Sequence, residues 1–254
     1  MDNTNKQNAK TNINKSLGLI EKEYHENGKV KKFIEYYPNG NIMYISEFDE
    51  SGNGIKYTKY NADDIIDCWK ETQWNKNGKP KKCIEYNSDG SVKEWRTFEY
   101  NEDGKEIKYT AYNSDGSISQ WHESEYDKNG NVVKKTYYEP DNSIIHSEEL
   151  EYYENGKVKK YTQYFPDGKI SDICEYDASG NEIKFKAYDT DGTIHDWVET
   201  EWDENGNAIK YTMYNEDGSI SSWTECEYDE NGNEVKQTYY NSDGTIKFVN
   251  ELND

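Results

Sequence analysis

A turn signal recurs along this chain at intervals that are always even. Sixteen glycines, each preceded by Asn, Asp or Ser, mark the signal. Asp64 and Asn142 stand at the two positions of the series that lack glycine. Of the 17 intervals between these 18 turn positions, eleven are 12 residues long and six are 14. Because strand side chains alternate between two faces, an even interval keeps each residue on its own face. The turn positions are 28, 40, 52, 64, 78, 90, 104, 116, 130, 142, 156, 168, 180, 192, 206, 218, 232 and 244.

An aromatic residue stands four positions before every turn position. Asn-Gly and Asp-Gly supply the positive φ that tight hairpins require. A three-residue loop ending on the glycine then places this aromatic opposite the second residue after it, as in Tyr214 with Ile220 and Tyr164 with Ile170. Such pairs contribute roughly 0.2–1 kcal/mol each. The sequence therefore predicts an all-β repeat array, a meander of about 19 antiparallel strands in an elongated sheet that is twisted or superhelical.

The predicted organisation is a flexible polar tail over residues 1–16 and one β-hairpin repeat domain over residues 17–254. Its unit is a double hairpin of 26 residues. The chain contains neither the apolar run of a signal peptide nor an apolar segment of 18 residues. We expect a cytoplasmic protein if residue 1 is the native start, and a secreted or cell-surface protein if a leader has been removed.

The charge balance constrains the class of partner. The chain carries 51 acidic and 30 basic residues, a formal net charge of −21, and Arg96 is its single arginine. Nucleic acids require basic contacts to phosphate, so this balance argues against them. It suits the capture of a cationic protein.

The turn positions alternate between two series, and we call every second one an Asp-Gly type turn: 40, 64, 90, 116, 142, 168, 192, 218 and 244. A second aromatic series follows this type of turn. Five of the six 14-residue intervals carry Trp five residues after the turn, and Ser147 takes that place in the sixth. Continued in the same register, the hairpins predict the cross-strand pairs Tyr57–Trp69, Tyr109–Trp121, Phe185–Trp197 and Tyr211–Trp223. Acidic residues share this predicted face. The candidate binding residues are Trp69, Trp95, Trp121, Trp197, Trp223, Tyr57, Tyr109, Tyr211, Glu123, Glu125, Glu199, Glu201, Glu225 and Glu227.

Two interpretations of these rings stay open. They either pack as the interior of a curled sheet, or they form a recognition surface for Lys and Arg side chains or sugar rings.

No residues indicate catalysis, a cofactor or a metal. The four cysteines lack CxxC spacing, and the four histidines occupy different places in the repeat. An EF-hand alignment of the turn at Gly218 would place Met213 and Thr224 at ligand positions, which excludes that motif. We therefore expect no enzyme.

The segment from Tyr152 to Lys159, YYENGKVK, resembles the MORN-variant repeats of YwqK-type antitoxin-like proteins. The segment from Tyr228 to Asn233, YDENGN, is similar to the YD repeats of Rhs proteins. Together the two resemblances cover residues 24 to about 246. They imply hairpin arrays that serve as antitoxin or immunity partners, surface proteins or toxin shells, and they carry over no catalytic residue.

The sequence thus favours a non-enzymatic scaffold that binds a basic protein, with an immunity or antitoxin-like protein as one form. The alternative is a surface-associated module that binds glycan or cell wall through the aromatic column. Membrane insertion is not expected, and the oligomeric state is left open.

Overall fold

The computed structural model describes residues 19–252, so the predicted tail over residues 1–16 lies outside the described residues. Nineteen strands form one sheet, in which each strand pairs antiparallel with the next one along the chain. This confirms the predicted all-β meander. None of the described residues forms a helix that is long and apolar enough to cross a membrane.

The strands are five to nine residues long. The first nine are β1 Ile20–Tyr24, β2 Val30–Tyr36, β3 Ile42–Phe48, β4 Gly54–Tyr60, β5 Ile66–Trp74, β6 Pro80–Asn87, β7 Val92–Tyr100, β8 Glu106–Asn113 and β9 Ile118–Tyr126. The other ten are β10 Val132–Tyr138, β11 Ile144–Tyr152, β12 Val158–Tyr164, β13 Ile170–Tyr176, β14 Glu182–Tyr188, β15 Ile194–Trp202, β16 Ala208–Tyr214, β17 Ile220–Tyr228, β18 Glu234–Asn241 and β19 Ile246–Glu251.

The chain divides into two compact units, Met1–His122 and Glu123–Asp254, and the division falls within β9. We call them the first and second unit. The boundary between tail and repeat domain at residue 17 stays a prediction.

The turns have the predicted geometry. All sixteen turn glycines have positive φ, and so do Asp64 (φ 61°) and Asn142 (φ 69°) at the two vacancies. In the turn at Gly218, the glycine N–H donates to the carbonyl of Asn215, and the N–H of Asn215 donates to the carbonyl of Ser219. The loop is therefore three residues long and ends on the glycine.

The register changes just outside each turn. Tyr214 opposes Ile220 as predicted, but Met213 opposes Ser222, so Ser221 is the extra residue of a β-bulge. The same shift beside the aromatic position occurs from β1–β2 to β7–β8 and from β10–β11 to β18–β19.

Three of the predicted pairs, those of Trp69, Trp197 and Trp223, are wrong by one position because of this bulge. Trp223 opposes Thr212, and its predicted partner Tyr211 opposes Thr224. Because neighbours in a strand point to opposite faces, Tyr211 lies on the face away from Trp223. The corrected pairs are Thr58–Trp69, Lys186–Trp197 and Thr212–Trp223.

Buried residues in the sheet are few, and most are small and polar. Thr58, Thr110, Thr162, Thr212 and Thr238 are each 5–6% exposed. Each stands six residues before an Asp-Gly type turn, on the face that carries the Trp side chains. We call this the tryptophan face of each unit, carrying Trp69 and Trp95 in the first unit and Trp197 and Trp223 in the second.

Candidate functional site

Each of four tryptophans stacks on a tyrosine of the following strand. The Trp197 and Tyr214 ring centroids are 4.5 Å apart, and those of Trp95 and Tyr112 are 3.6 Å apart. Trp69–Tyr86 and Trp223–Tyr240 are each 4.9 Å apart. The tyrosine in each pair is the residue four before the next Asp-Gly type turn.

Three of these rings, those of Trp69, Trp197 and Trp223, also lie against that next turn. A Cβ at Gly218 would lie 3.4 Å from the Trp197 ring, and one at Gly244 would lie 3.7 Å from the Trp223 ring. The repeated Trp therefore packs one hairpin onto the next.

A lysine of the preceding strand reaches the other side of several of these rings. The Lys82 Nζ lies 4.0 Å from the Trp95 ring centroid, and the Lys186 Nζ lies 3.4 Å from that of Trp197. Burial, with the nearby Lys184 charge, lowers the pKa of Lys186. The chain's own lysines thus make the cation–π contacts that a partner's Lys or Arg would need.

The acids of the tryptophan face are matched by lysines across the strands. In the second unit, every strand pair from β10–β11 to β18–β19 sets a Lys opposite a Glu on this face. We call this row the Lys–Glu ladder. Its Nζ–Oε1 distances are 3.4 Å for Lys134–Glu149, 3.0 Å for Lys184–Glu199, 3.2 Å for Lys210–Glu201 and 2.6 Å for Lys236–Glu227.

Tyrosine hydroxyls complete this network. The Tyr214 hydroxyl donates to Glu199 at 2.9 Å, and Tyr164 donates to Glu149 at 2.8 Å. Burial pushes the pKa of Glu199 up, but hydrogen bonds from Lys184 and Tyr214 outweigh it and hold that pKa below its ordinary value. Burial and the Glu149 carboxylate raise the pKa of Tyr164 to about 12.

The structure does not gather all the predicted binding residues on one face. Trp197 and Trp223 share the tryptophan face of the second unit with Glu199, Glu201, Glu225 and Glu227, and both rings are half-buried. The three tyrosines of the set lie on the face away from Trp. They are Tyr57, which opposes Lys70; Tyr109, which stacks on His122 at 5.1 Å; and Tyr211, which is 37% exposed.

The other predicted residues flank the division between the units. Trp121 is half-buried, and Glu123 and Glu125 are exposed.

The unmatched negative charge lies on the turns instead. In the second unit, the five Asp-Gly type turns carry eight carboxylates and one lysine, Lys169. Successive turns on one edge are two strands apart, which is about 9.6 Å. We call this row the carboxylate edge: Glu139, Asp141, Asp167, Asp189, Asp191, Glu216, Asp217 and Asp243.

One oxygen of these turn aspartates is used by the turn itself. The backbone N–H and the hydroxyl of Ser219 both donate to Asp217 Oδ1, at 2.9 and 2.6 Å. Asp141 and Asp243 use Oδ1 in the same way. On the opposite edge, both oxygens of Asp203 accept from Asn207.

The lysine column was not part of the predicted site, although the sequence carries its signal. A Lys stands eight residues before each of the nine Asp-Gly type turns, at positions 32, 56, 82, 108, 134, 160, 184, 210 and 236. Over residues 19–252 the structure holds no cluster of three or more His, Cys, Asp or Glu that could bind a metal ion.

Comparison with solved structures gives weak likenesses only. The TcdB2–TccC3–TEV crystal structure shares 10% identity at a TM-score of 0.28, over 92% of this chain and 18% of that chain. A porin-like protein from Bacteroides uniformis shares 9% at a TM-score of 0.32, over 94% and 95% of the two chains. A eukaryotic initiation factor shares 10% at a TM-score of 0.34, over 93% and 76%. This chain spans about a fifth of the first structure, and these TM-scores carry no argument about function.

Family comparison is more informative. A search of curated protein sequences found no significant match. The MORN repeat variant model matches residues 17–32, which supports the MORN-like resemblance in its general form. The model described as Protein of unknown function (DUF2963) matches residues 36–72, 86–137, 138–188 and 222–254, more than half of the chain. The chain therefore belongs to the DUF2963 family.

Proposed function

We propose that this protein is a non-enzymatic repeat scaffold that binds a basic protein through its carboxylate edge. The observation that supports it is the row of turn aspartates in the second unit, whose Oδ1 is fixed by the turn while Oδ2 of Asp141, Asp217 and Asp243 has no partner among the described residues. A fixed carboxylate loses little conformational freedom when it meets a cation.

Charge supports the edge rather than the tryptophan face as the binding surface. The eight glutamates of the Lys–Glu ladder share five lysines, so more than half of their charge is compensated within the chain. The edge carries eight carboxylates against one lysine. A surface of one sign attracts a partner of the opposite sign and speeds encounter.

The test is capture of a basic protein from host lysate by the full chain and two matched variants. The edge variant is Asp141→Asn, Asp167→Asn, Asp191→Asn, Asp217→Asn and Asp243→Asn. Asn39 shows that Asn fits this place, since its Oδ1 accepts the N–H of Asn41 at 3.1 Å. The face variant is Glu149→Gln, Glu199→Gln, Glu201→Gln, Glu225→Gln and Glu227→Gln. Each variant removes five negative charges.

We expect the wild type and the face variant to capture one basic protein in a stoichiometric amount. The edge variant should not capture it. Raising the salt concentration from about 0.15 M to about 1 M should weaken the binding of this protein, because the Debye length falls from about 8 Å to about 3 Å. Equal capture by both variants, or wall fragments held through both salt washes, would contradict the proposal. A toxin as the captured protein would support the narrower immunity or antitoxin-like role.

A further inference from the structure

The second unit has a nearly uncharged face on the side of β14–β19 away from Trp197 and Trp223. One row of cross-strand neighbours there runs Phe185, Val198, Met213 and Ser222. A second row runs Thr200, Tyr211, Thr224, Tyr239 and Phe248. Between the bulges of these six strands, Asp196 is the one charged residue on this side. Just outside the bulges, Glu182 opposes Tyr176 and Glu234 opposes Tyr228, so these two carboxylates border the face. We call it the uncharged face.

Three large side chains of this face are exposed to solvent. In β16, Thr212 is 6% exposed on the tryptophan face, whereas its neighbours Tyr211 and Met213 are 37% and 51% exposed. Phe248 is 48% exposed and stacks on Tyr239 at 4.0 Å. Large side chains are thus exposed together rather than singly, which is typical of an interaction surface.

The absence of charge here is local. In the first unit, the side away from Trp69 carries Glu85 with Lys70, Lys93 and Arg96 at 2.5, 3.7 and 3.2 Å. In a chain of net charge −21, a six-strand surface with one carboxylate between its bulges and two at its border stands apart from both the carboxylate edge and the Lys–Glu ladder.

We infer that a second copy of this chain packs on the uncharged face, forming a two-fold symmetric dimer. In such an interface the same patch meets itself, so a charge on the patch would tend to meet a like charge. A strongly acidic chain can self-associate through an uncharged patch with the least repulsion. Two sheets stacked in this way lie about 10 Å apart with their inner side chains interdigitated.

The area of the uncharged face is large enough for an interface between two copies of the chain. Six strands about 4.8 Å apart, each contributing about five residues of about 3.3 Å, cover about 500 Å² per copy. Two copies together reach about 1,000 Å², the lower range for a specific interface. Residues 1–18, MDNTNKQNAKTNINKSLG, are too polar to cover an apolar face.

The test is sedimentation velocity of the full chain over a range of micromolar concentrations, with two variants. Met213→Glu places a charge on the uncharged face of both copies, at a half-exposed side chain whose replacement leaves the sheet intact. Ile246→Glu is the control, because Ile246 is 58% exposed in the same unit but opposes Tyr240 on the tryptophan face. Thermal unfolding of each variant checks that it is folded.

We expect a dimer for wild type and Ile246→Glu, and a dissociation constant raised more than about tenfold for Met213→Glu. Added salt should strengthen the dimer by screening the two net charges, the opposite of its effect on the basic partner. A wild type that stays monomeric, or a Met213→Glu variant that dimerises equally well, would overturn the inference. The inference would also be overturned if the chain stays monomeric and Met213 becomes protected from oxidation only when the basic protein is bound. The uncharged face would then belong to that partner.

Discussion

At the residue scale, one turn position sets the local geometry of every hairpin. The position needs positive φ, which glycine adopts freely and Asn or Asp tolerates. The chain uses all three, with φ between 61° and 93°. Glycine recurs because of backbone geometry.

Substitution at Gly192 isolates this backbone requirement. Its φ is +93°, and nothing lies within 4 Å of a Cβ built there, so a side chain meets no steric obstacle. We expect Gly192→Ala to lower the free energy of unfolding by about 1 kcal/mol. Gly192→Asn should cost less, because Asn142 fills the equivalent place at φ 69°. Urea unfolding measures both, and equal costs would contradict the explanation.

The turn aspartates predict a loss of stability in acid. Hydrogen bonds from the hydroxyl and the N–H of Ser219 lower the pKa of Asp217, and those of Thr245 do the same for Asp243. A carboxylate with a lowered folded pKa stabilises the fold above its unfolded pKa, and that contribution disappears as pH falls through the folded value. The melting temperature should therefore decrease as the pH is lowered below about 4. The edge variant, with Asn at these places, should show a shallower fall in thermal unfolding followed by circular dichroism; identical acid slopes would refute the assignment.

At the element scale, the hairpins show which parts of the fold the sequence determines locally. Strand number, turn positions and pairs such as Tyr214–Ile220 were predictable because turn chemistry is local. The bulge at Ser221 was not, because a bulged residue needs no special side chain. Its effect is large: one extra residue moves Tyr211 to the face away from Trp223, so the tyrosines of the predicted set do not lie on one face with the tryptophans.

Residue types that recur at a fixed distance before each turn indicate which residues share a face, and single cross-strand pairs do not. The lysines eight residues before each Asp-Gly type turn and the threonines six before most of them share a parity that places them on one face. Combined with the Lys184–Glu199 and Lys210–Glu201 ion pairs, they turn the tryptophan face into a packed network. The acidic character of that face in the sequence is reduced by lysines on neighbouring strands.

Trp197 tests this packing role. Replacement by Ser, the residue at the equivalent place 147, removes the contacts with Tyr214, Lys186 and the turn at Gly218. Because the ring is half-buried, we expect a loss of about 2 kcal/mol, below the range for a fully buried Trp. Urea unfolding measures it. His195→Ser, at an exposed residue of the same strand, is the control and should stay within about 0.5 kcal/mol. A neutral Trp197→Ser would favour a recognition role for the ring.

At the whole-molecule scale, charge is distributed according to role. In the second unit, lysines offset more than half of the ladder glutamates on the tryptophan face, and six strands of the other side carry few charges. The turns at both edges carry most of the excess negative charge, and the carboxylate edge carries more of it than the opposite edge. We propose that the tryptophan face stabilises the fold, while the edge and the uncharged face bind partners.

The most direct test of this division is the free energy of unfolding of the edge variant and the face variant. Both variants lose five negative charges, so the relief of overall charge repulsion is similar in the two. The difference between their free energies of unfolding therefore reports the local role of each set of carboxylates. We predict that the face variant is less stable than the edge variant by about 1–3 kcal/mol, since partly exposed ion pairs contribute about 0.2–1 kcal/mol each. Equal stability, or a less stable edge variant, would contradict the account.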